Sequence, residues 1–162
     1  MDELSASDVL NGFDPAGDAQ FGPVGTDARH RVNASAVWAP GAGFTIAPIF
    51  RYRSKSPYNI TAGTDLNGDG ANFDLPPGVE TVNSGRGADN KQLDLRVSKK
   101  FKMGGPRAVE LIGEVFNVFN SKNPGGFVGN MRASNFGQPT EFAGDFKRSE
   151  QRLGQIGLRF EF

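Results

Sequence analysis

Five stretches of this 162-residue chain alternate apolar and polar residues with a period of two. Such a period is typical of β-strands that have one apolar and one polar face. The last stretch runs to the C-terminal Phe162 and places Ile156, Leu158 and Phe160 on the same face. The sequence therefore predicts an all-β fold, an antiparallel meander of about five strands. These cover residues 29–39, 43–54, 91–103, 106–119 and 152–162.

The connections between the predicted strands alternate in length. Two are short turns rich in Gly and Pro, at residues 40–42 and 104–106. The other two, residues 54–90 and 120–151, are long and rich in Gly. Strands of about ten residues with alternating short and long connections are typical of transmembrane barrels, which have tight periplasmic turns and long extracellular loops. A soluble antiparallel sandwich shows the same alternation of faces, so the pattern alone leaves both folds open.

Charge and composition exclude several classes of function. Lys plus Arg and Asp plus Glu both number 18, whereas a nucleic-acid-binding protein usually carries a basic face. The chain has no Cys and one His, His30, so a disulfide framework is excluded and a catalytic triad or zinc site has almost no support. Glu110 and Glu114 are about 13 Å apart on a strand, too far for a glycosidase pair. We therefore expect no enzyme activity and no nucleic-acid partner.

The chain divides into a leading loop and a strand-bearing segment. Residues 1–28 contain recurring Gly, Asp and Pro without periodicity, and residues 29–162 hold the predicted strands. The start is acidic and polar, without the basic flank and apolar run of a signal peptide. No stretch approaches the ~20 apolar residues of a membrane-spanning helix.

One loop motif is a weak candidate for metal binding. Asp65, Asn67 and Asp69 lie in a D-x-N-x-D-G sequence that resembles the start of an EF-hand calcium loop. Such a loop needs a bidentate carboxylate at its twelfth position, which here is Pro76. Asp, Asn and Gly are also the residues that plain turns use. Weak Ca²⁺ binding and simple turn structure both remain open, and no other cofactor is predicted.

Four segments, taken in order, resemble the C-terminal part of TonB-dependent outer-membrane receptors. They are SPYNITAGTDLNGDG, GADNKQLDLRVSKKF, VELIGEVFNVFN and LGQIGLRFEF. The similarity is to the Oar-like type, which carries a carboxypeptidase-regulatory-like domain at the N-terminus. It covers roughly residues 29–162, and EVFNVFN followed by a long loop and a terminal aromatic strand is its most specific element.

The resemblance implies that the chain forms the last five strands of a 22-stranded barrel with a plugged lumen. It implies the outer membrane of a Gram-negative bacterium and a part in the active uptake of a scarce ligand. The implied partners are membrane lipid, the remaining barrel strands, the plug, and TonB through an N-terminal region that this sequence lacks. The loops 1–28, 54–90 and 120–151 would be extracellular. Because five strands are too few to close, we expect a truncated frame or excised fragment that does not transport alone.

The terminal strand has an implied role of its own. In receptors of this kind, an alternating apolar strand with a C-terminal aromatic residue is recognised by the barrel-assembly machinery. The resemblance therefore implies that Ile156, Leu158, Phe160 and Phe162 form the assembly signal. An alternating strand with a free edge is also a good physical template for strand addition.

A function of another class fits the same strands. The chain would then be a soluble or surface-attached β-sheet binding module with a loop-borne calcium site. The two hypotheses differ in what the apolar residues contact, because they face lipid in a membrane barrel and the protein core in a soluble sheet.

The second short turn predicts the register of the two strands that it joins. A tip at residues 104–106 pairs the flanking strands so that Arg96 lies opposite Glu114 and Lys100 opposite Glu110. Opposite charges facing each other across two strands contribute about 0.2–1 kcal/mol per pair. A slip by one residue would move these charges to the apolar face. A slip by two would keep the faces but place Asp94 opposite Glu114, so the first register is favoured and the two-residue slip is the less strongly excluded alternative.

Overall fold

The structure is a computed structural model that describes residues 13, 14, 16–142 and 152–162. Parts of the predicted loops 1–28 and 120–151 lie outside these described residues. A single 3₁₀ turn at Asp18–Gln20 precedes the strands. The strands are β1 Arg31–Ser35, β2 Trp38–Gly41, β3 Phe44–Arg53, β4 Pro57–Tyr58, β5 Gly85–Arg86, β6 Asn90–Lys102, β7 Ala108–Phe116 and β8 Leu153–Glu161. No helix in the described part of the chain is long and apolar enough to cross a membrane.

The main sheet is antiparallel, and its strand order follows the chain. The order is β1–β3–β6–β7–β8, with β2 also paired to β3, while β4 and β5 form a separate two-stranded ladder. The predicted five-strand meander is confirmed, because β1 and β2 together correspond to the first predicted strand. Both short turns therefore lie at one end of the sheet, the turn end. Both long connections lie at the other, the loop end.

Pro48 explains why the first predicted strand is divided into β1 and β2. The amide of Ala36 donates to the Pro48 carbonyl at 3.2 Å, but Pro48 has no N–H to return the bond. The ladder is interrupted at this point, so β1 ends at Ser35 and β2 begins at Trp38. On its other side β3 pairs with β6 without a break, with Pro48 opposite Leu95. Pro48 is tolerated in this central strand because its missing N–H would face β1 and β2, where the ladder is interrupted, and not β6.

The strands β6 and β7 pair in the predicted register. Arg96 lies opposite Glu114, and Lys100 lies opposite Glu110. The turn between them contains Gly104 and Gly105, with φ angles of 93° and 58°. These left-handed angles suit a tight turn, and glycine adopts them without steric cost.

The strand β7 ends earlier than its predicted limit of residue 119. It stops at Phe116 because Asn117 has a φ angle of 51°, a left-handed value that Asn tolerates better than most residues. Asn117 is fully buried, and its side chain donates to the Ser121 carbonyl and accepts from the Ser121 amide, both at 3.0 Å. These bonds direct the chain out of the sheet and into the second long loop.

The two long loops pack against each other at the loop end. The Thr61 amide donates to the Gly129 carbonyl at 2.9 Å, and the Tyr58 ring stacks on Phe127 with centroids 5.4 Å apart. A Cβ atom at position 129 would lie 1.7 Å from the Asn59 carbonyl oxygen, so this approach requires glycine. The ladder of β4 and β5 within the first loop was not predicted from the sequence.

Candidate membrane-facing surface

Alternation gives the main sheet two chemically different faces. In the paired strands, only two charged residues, Lys91 and Lys99, fall on the apolar face. The large residues of this apolar face are Val32, Trp38, Phe44, Ile46, Phe50, Tyr52, Leu93, Leu95, Val97, Phe101, Val109, Leu111, Val115, Ile156, Leu158 and Phe160. The opposite, polar face carries Asn33, Arg51, Asp94, Arg96, Lys100, Glu110, Glu114, Gln155, Arg159 and Glu161.

Few described side chains are buried in this fold, and most of those that are buried are polar. The buried apolar side chains are those of Pro57, Pro76 and Ala108. The buried polar residues are Asp74, Asp94, Ser98, Asn117 and Asn123. On the apolar face Trp38 is 61% exposed and Ile156 is 83% exposed. Contiguous exposed apolar residues of this kind mark a surface that interacts with protein or with lipid.

Aromatic side chains lie toward both ends of the apolar face, with aliphatic ones between them. At the turn end they are Trp38, Phe44, Phe101 and Phe160. At the loop end, Phe50 packs edge-on against Phe119 with ring centroids 6.4 Å apart. The central positions carry Ile46, Leu95, Val97 and Ile156. Aromatic girdles that flank an apolar band are typical of the outer surface of transmembrane barrels.

Lys99 shows how a charge is accommodated on the apolar face. Its Nζ atom lies 4.0 Å from the ring centroid of Phe44 and 5.7 Å from that of Phe101. It also donates to the carbonyl of Ala42 in the first short turn. The ammonium is thus stabilised at the turn end by ring faces and a backbone oxygen, while its stem covers apolar surface. Lysines near a membrane interface reach toward head groups in the same way.

Ion pairs connect neighbouring strands across the polar face. Arg96 Nη1 lies 3.3 Å from Glu114 Oε1, which is the contact expected from the register. Glu114 also accepts a hydrogen bond from Gln155 Nε2 on β8. Its carboxylate therefore joins three strands, β6, β7 and β8, on this face.

Lys100 makes a different contact from the one its register position favours. It lies opposite Glu110, but its Nζ atom contacts Glu161 Oε2 at 2.5 Å. The long side chain reaches β8 because the intervening Ala108 on β7 is small. Glu110 instead lies 3.9 Å from Arg159 Nη1. The expectation that Glu110 is a charge on the polar face agrees with this arrangement, although its cation comes from β8.

The candidate calcium loop is closed by its own hydrogen bonds. Asp65 Oδ1 accepts from the Gly68 amide at 2.6 Å, and Asp65 Oδ2 accepts from the Gly70 amide at 2.9 Å. Asn67 Oδ1 accepts from the Asp69 amide at 2.9 Å. The described residues contain no group of three or more His, Cys, Asp or Glu side chains placed to hold a metal ion. The Asp and Asn oxygens are therefore used as turn acceptors.

We predict that this loop holds no Ca²⁺ tightly, because its oxygens already accept backbone hydrogen bonds and Pro76 supplies no carboxylate. Calorimetric titration of the chain with CaCl₂ should give no binding in the micromolar range. Asp65→Asn/Asp69→Asn is the control and should behave as the unsubstituted chain does. Micromolar binding that the double substitution removes would contradict this prediction.

The residues of the predicted assembly signal lie together at one edge of the sheet. Ile156, Leu158 and Phe160 share the apolar face of β8, and Phe162 follows the strand with 98% of its surface exposed. Within the described residues β8 pairs only with β7, so its outer edge is free. The geometry fits recognition by strand addition.

One group of polar residues was not predicted from the sequence. Arg31 and Arg51 meet Arg53 on the polar face at the loop end. Alternation alone places Arg51 and Arg53 on one face, but Arg31 joins them only through the pairing of β1 with β3. The first short turn does not predict this pairing, because the register shifts between Trp38, which pairs with Ile46, and Gly41, which pairs with Phe44.

No protein family, curated protein or solved structure matches this chain. The resemblance to TonB-dependent receptors therefore remains a hypothesis. The assignment of the apolar face depends on its chemistry and on the topology of the sheet.

Proposed function

We propose that this chain is the C-terminal barrel segment of a TonB-dependent outer-membrane receptor. Its apolar face contacts lipid and its polar face lines the lumen. The observation that carries the proposal is the burial pattern of the described sheet, in which no large side chain of the apolar face is buried, whereas Asp94 and Ser98 of the polar face are. Strand length supports it, because β3, β7 and β8 have 10, 9 and 9 residues, and a tilted membrane-spanning strand needs about 9–11.

The free edges of the sheet support assembly with further strands. In the described residues β1 and β8 each pair on one side only. They are the first and fifth strands of an antiparallel series, so they run in the same direction. A ring made of identical copies of this chain would therefore contain parallel strand pairs where the copies meet. An odd number of additional strands gives an even total instead, and the sheet can then close with antiparallel pairs throughout. The remaining strands of the receptor are the proposed partners, because unpaired edges are very unfavourable in lipid.

In this arrangement the turn end faces the periplasm and the loop end faces the exterior. The packed long loops contribute to the capture of a scarce ligand, and the plug and TonB supply the energised step of uptake. The segment alone neither transports nor catalyses a reaction. Its proposed location is the outer membrane of a Gram-negative bacterium.

The alternative is a soluble or surface-attached binding module, and it requires a protein layer over the apolar face. In the part of the chain that the structure describes, eight of the sixteen large side chains of this face are exposed and the other eight are partly exposed. The small ladder of β4 and β5 belongs to the loop end and supplies no such layer. Lipid is the contact that these observations favour.

Spin labels along β7 test the proposal. The chain has no Cys, so single cysteines at positions 109–115 can each be labelled without background. In chain assembled with the remaining barrel strands in lipid vesicles, labels at odd-numbered positions should be accessible to O₂ and protected from a water-soluble nickel complex. Labels at even-numbered positions should show the reverse. Odd positions protected from both reagents would indicate a protein core and contradict the proposal.

The assembly role of the terminal strand gives a separate prediction. Phe162→Ala should strongly reduce insertion of the urea-unfolded chain into vesicles that contain purified barrel-assembly machinery, because the exposed terminal ring is lost. Protease-resistant product measures the inserted fraction. Phe21→Ala removes a similarly exposed ring from the leading loop and should insert as the unsubstituted chain does. Equal insertion of all three chains would show that Phe162 is not recognised.

A further inference from the structure

Three arginines, Arg31, Arg51 and Arg53, form a cluster on the polar face at the loop end. Arg31 of β1 lies directly opposite Arg53 of β3, and Arg51 lies opposite Asn33. Of the three, Arg51 forms an ion pair with Asp94. The arginine cluster borders a cavity of about 250 Å³, to which amide side chains also contribute, namely Asn33, Asn90, Gln92 and Asn123.

The hydrogen-bond pattern of the sheet brings Arg31 and Arg53 close together. The Ser54 amide donates to the His30 carbonyl at 2.9 Å, so these two residues form a hydrogen-bonded pair. Arg31 and Arg53, one position further along, form a non-hydrogen-bonded pair, in which Cα atoms are about 4.5 Å apart and side chains are closest. Like charges at directly opposite positions destabilise a sheet.

Neither guanidinium of this pair contacts a carboxylate within the described residues. Arg31 Nη2 donates to the Thr26 carbonyl at 2.6 Å. Arg53 Nη2 donates to the side-chain oxygen of Asn90 at 3.0 Å. This is the orientation of the Asn90 amide in which its oxygen and its nitrogen both have hydrogen-bond partners. Neutral oxygens orient the guanidinium groups but leave their charges uncompensated. The pair therefore offers two fixed positive charges at the border of one cavity.

We propose that the arginine cluster binds the phosphate-type oxyanion of a small soluble ligand. A guanidinium presents a planar fork of donors that matches phosphate geometry, and two arginines occupy directly opposite positions on neighbouring strands here. A doubly charged anion between them removes the like-charge repulsion. A cavity of about 250 Å³ lies below the usual range of about 300–1,000 Å³ for drug-sized ligands, so it receives the anionic group and not the whole ligand. The two arginines are on the polar face, and Tyr52 and Lys91 of the apolar face also line the cavity at the loop end.

Calorimetric titration of the full chain, folded in detergent micelles, with inorganic phosphate tests this site. Phosphate should bind, sulfate should compete, and chloride at equal ionic strength should not. Arg31→Gln/Arg53→Gln should weaken phosphate binding by about tenfold or more, because hydrogen bonds to charged groups are the strong ones. Lys102→Gln/Arg107→Gln removes the same charge at the turn end and should leave the affinity within about twofold.

Further variants separate this role from a structural one. Arg31→Lys/Arg53→Lys keeps both charges but loses the planar forks, and should bind phosphate with intermediate affinity. Arg31→Gln/Arg53→Gln should resist urea better than the unsubstituted chain in phosphate-free buffer, since repulsion is removed. No phosphate binding by the unsubstituted chain, or equal binding by all variants, would overturn the proposal. So would binding of phosphatidic acid in the micelle without binding of ribose 5-phosphate, because the oxyanion would then belong to a lipid.

Discussion

Replacing Val97 by Arg is expected to lower the free energy of unfolding of the chain, inserted into lipid with the remaining barrel strands, by about 2–4 kcal/mol. Val97 lies near the middle of β6 on the apolar face, between Ile46 of β3 and Gly113 of β7. An arginine near the midplane must bring its charge into lipid or distort the bilayer, and this accounts for the size of the effect. Urea unfolding in vesicles measures it, with the single tryptophan, Trp38, as the fluorescent probe.

Ile112→Arg is the matched control for this substitution. Ile112 is also a β-branched aliphatic residue near the middle of its strand, but it lies on the polar face with Glu110 and Glu114 on either side. An arginine there meets two carboxylates, so we expect a change of no more than about 1 kcal/mol. Equal losses from the two substitutions would mean that both faces meet the same medium, which would contradict the proposed orientation.

Asp94→Ala is expected to lower the free energy of unfolding by about 1–3 kcal/mol. Asp94 is buried on β6 and accepts from the Asn117 amide and from Gln92 Nε2, each at 3.0 Å, while pairing with Arg51. Without this carboxylate, the fully buried Asn117 amide loses the acceptor that holds the start of the second loop against the sheet. The Arg51 guanidinium loses its only ion-pair partner among the described residues.

Urea unfolding and amide hydrogen exchange measure this effect together. The Asn117 amide should exchange faster in the Asp94→Ala chain than in the unsubstituted one. Asp89→Ala is the control, because Asp89 accepts from the Lys55 amide at an exposed position and should change stability by no more than about 0.5 kcal/mol. Unchanged protection of Asn117 would show that other contacts hold this junction.

The sheet could be predicted because its determinants are local. The period of two assigns each side chain to a face, and the turn at Gly104 and Gly105 fixes the pairing of Arg96 with Glu114. The division of the first strand was not predictable in this way. It depends on whether the missing N–H of Pro48 faces β1 and β2 or faces β6. The alternation of apolar and polar residues does not indicate which strand lies on that side of β3.

The surface chemistry was only partly predictable. The alternation predicts an apolar face but not whether lipid or protein covers it, because the strands of a soluble sandwich show the same alternation. What favours lipid is the packing, in which no large side chain of the described apolar face is buried. Two contacts depend on strands that are distant in sequence. They are the ion pair of Lys100 with Glu161 and the pairing of Arg31 with Arg53. Single segments therefore do not reveal these contacts.

The close approach of the two long loops has a consequence for how such a protein diversifies. Gly129 fits against Asn59 only because it lacks a side chain, and Thr61 is hydrogen-bonded to the same glycine. A change in the length or path of one loop thus displaces the other. Natural variants and engineered chimaeras should exchange residues 54–90 and 117–152 as a matched pair. Transplanting either loop alone would combine two surfaces that were not selected together.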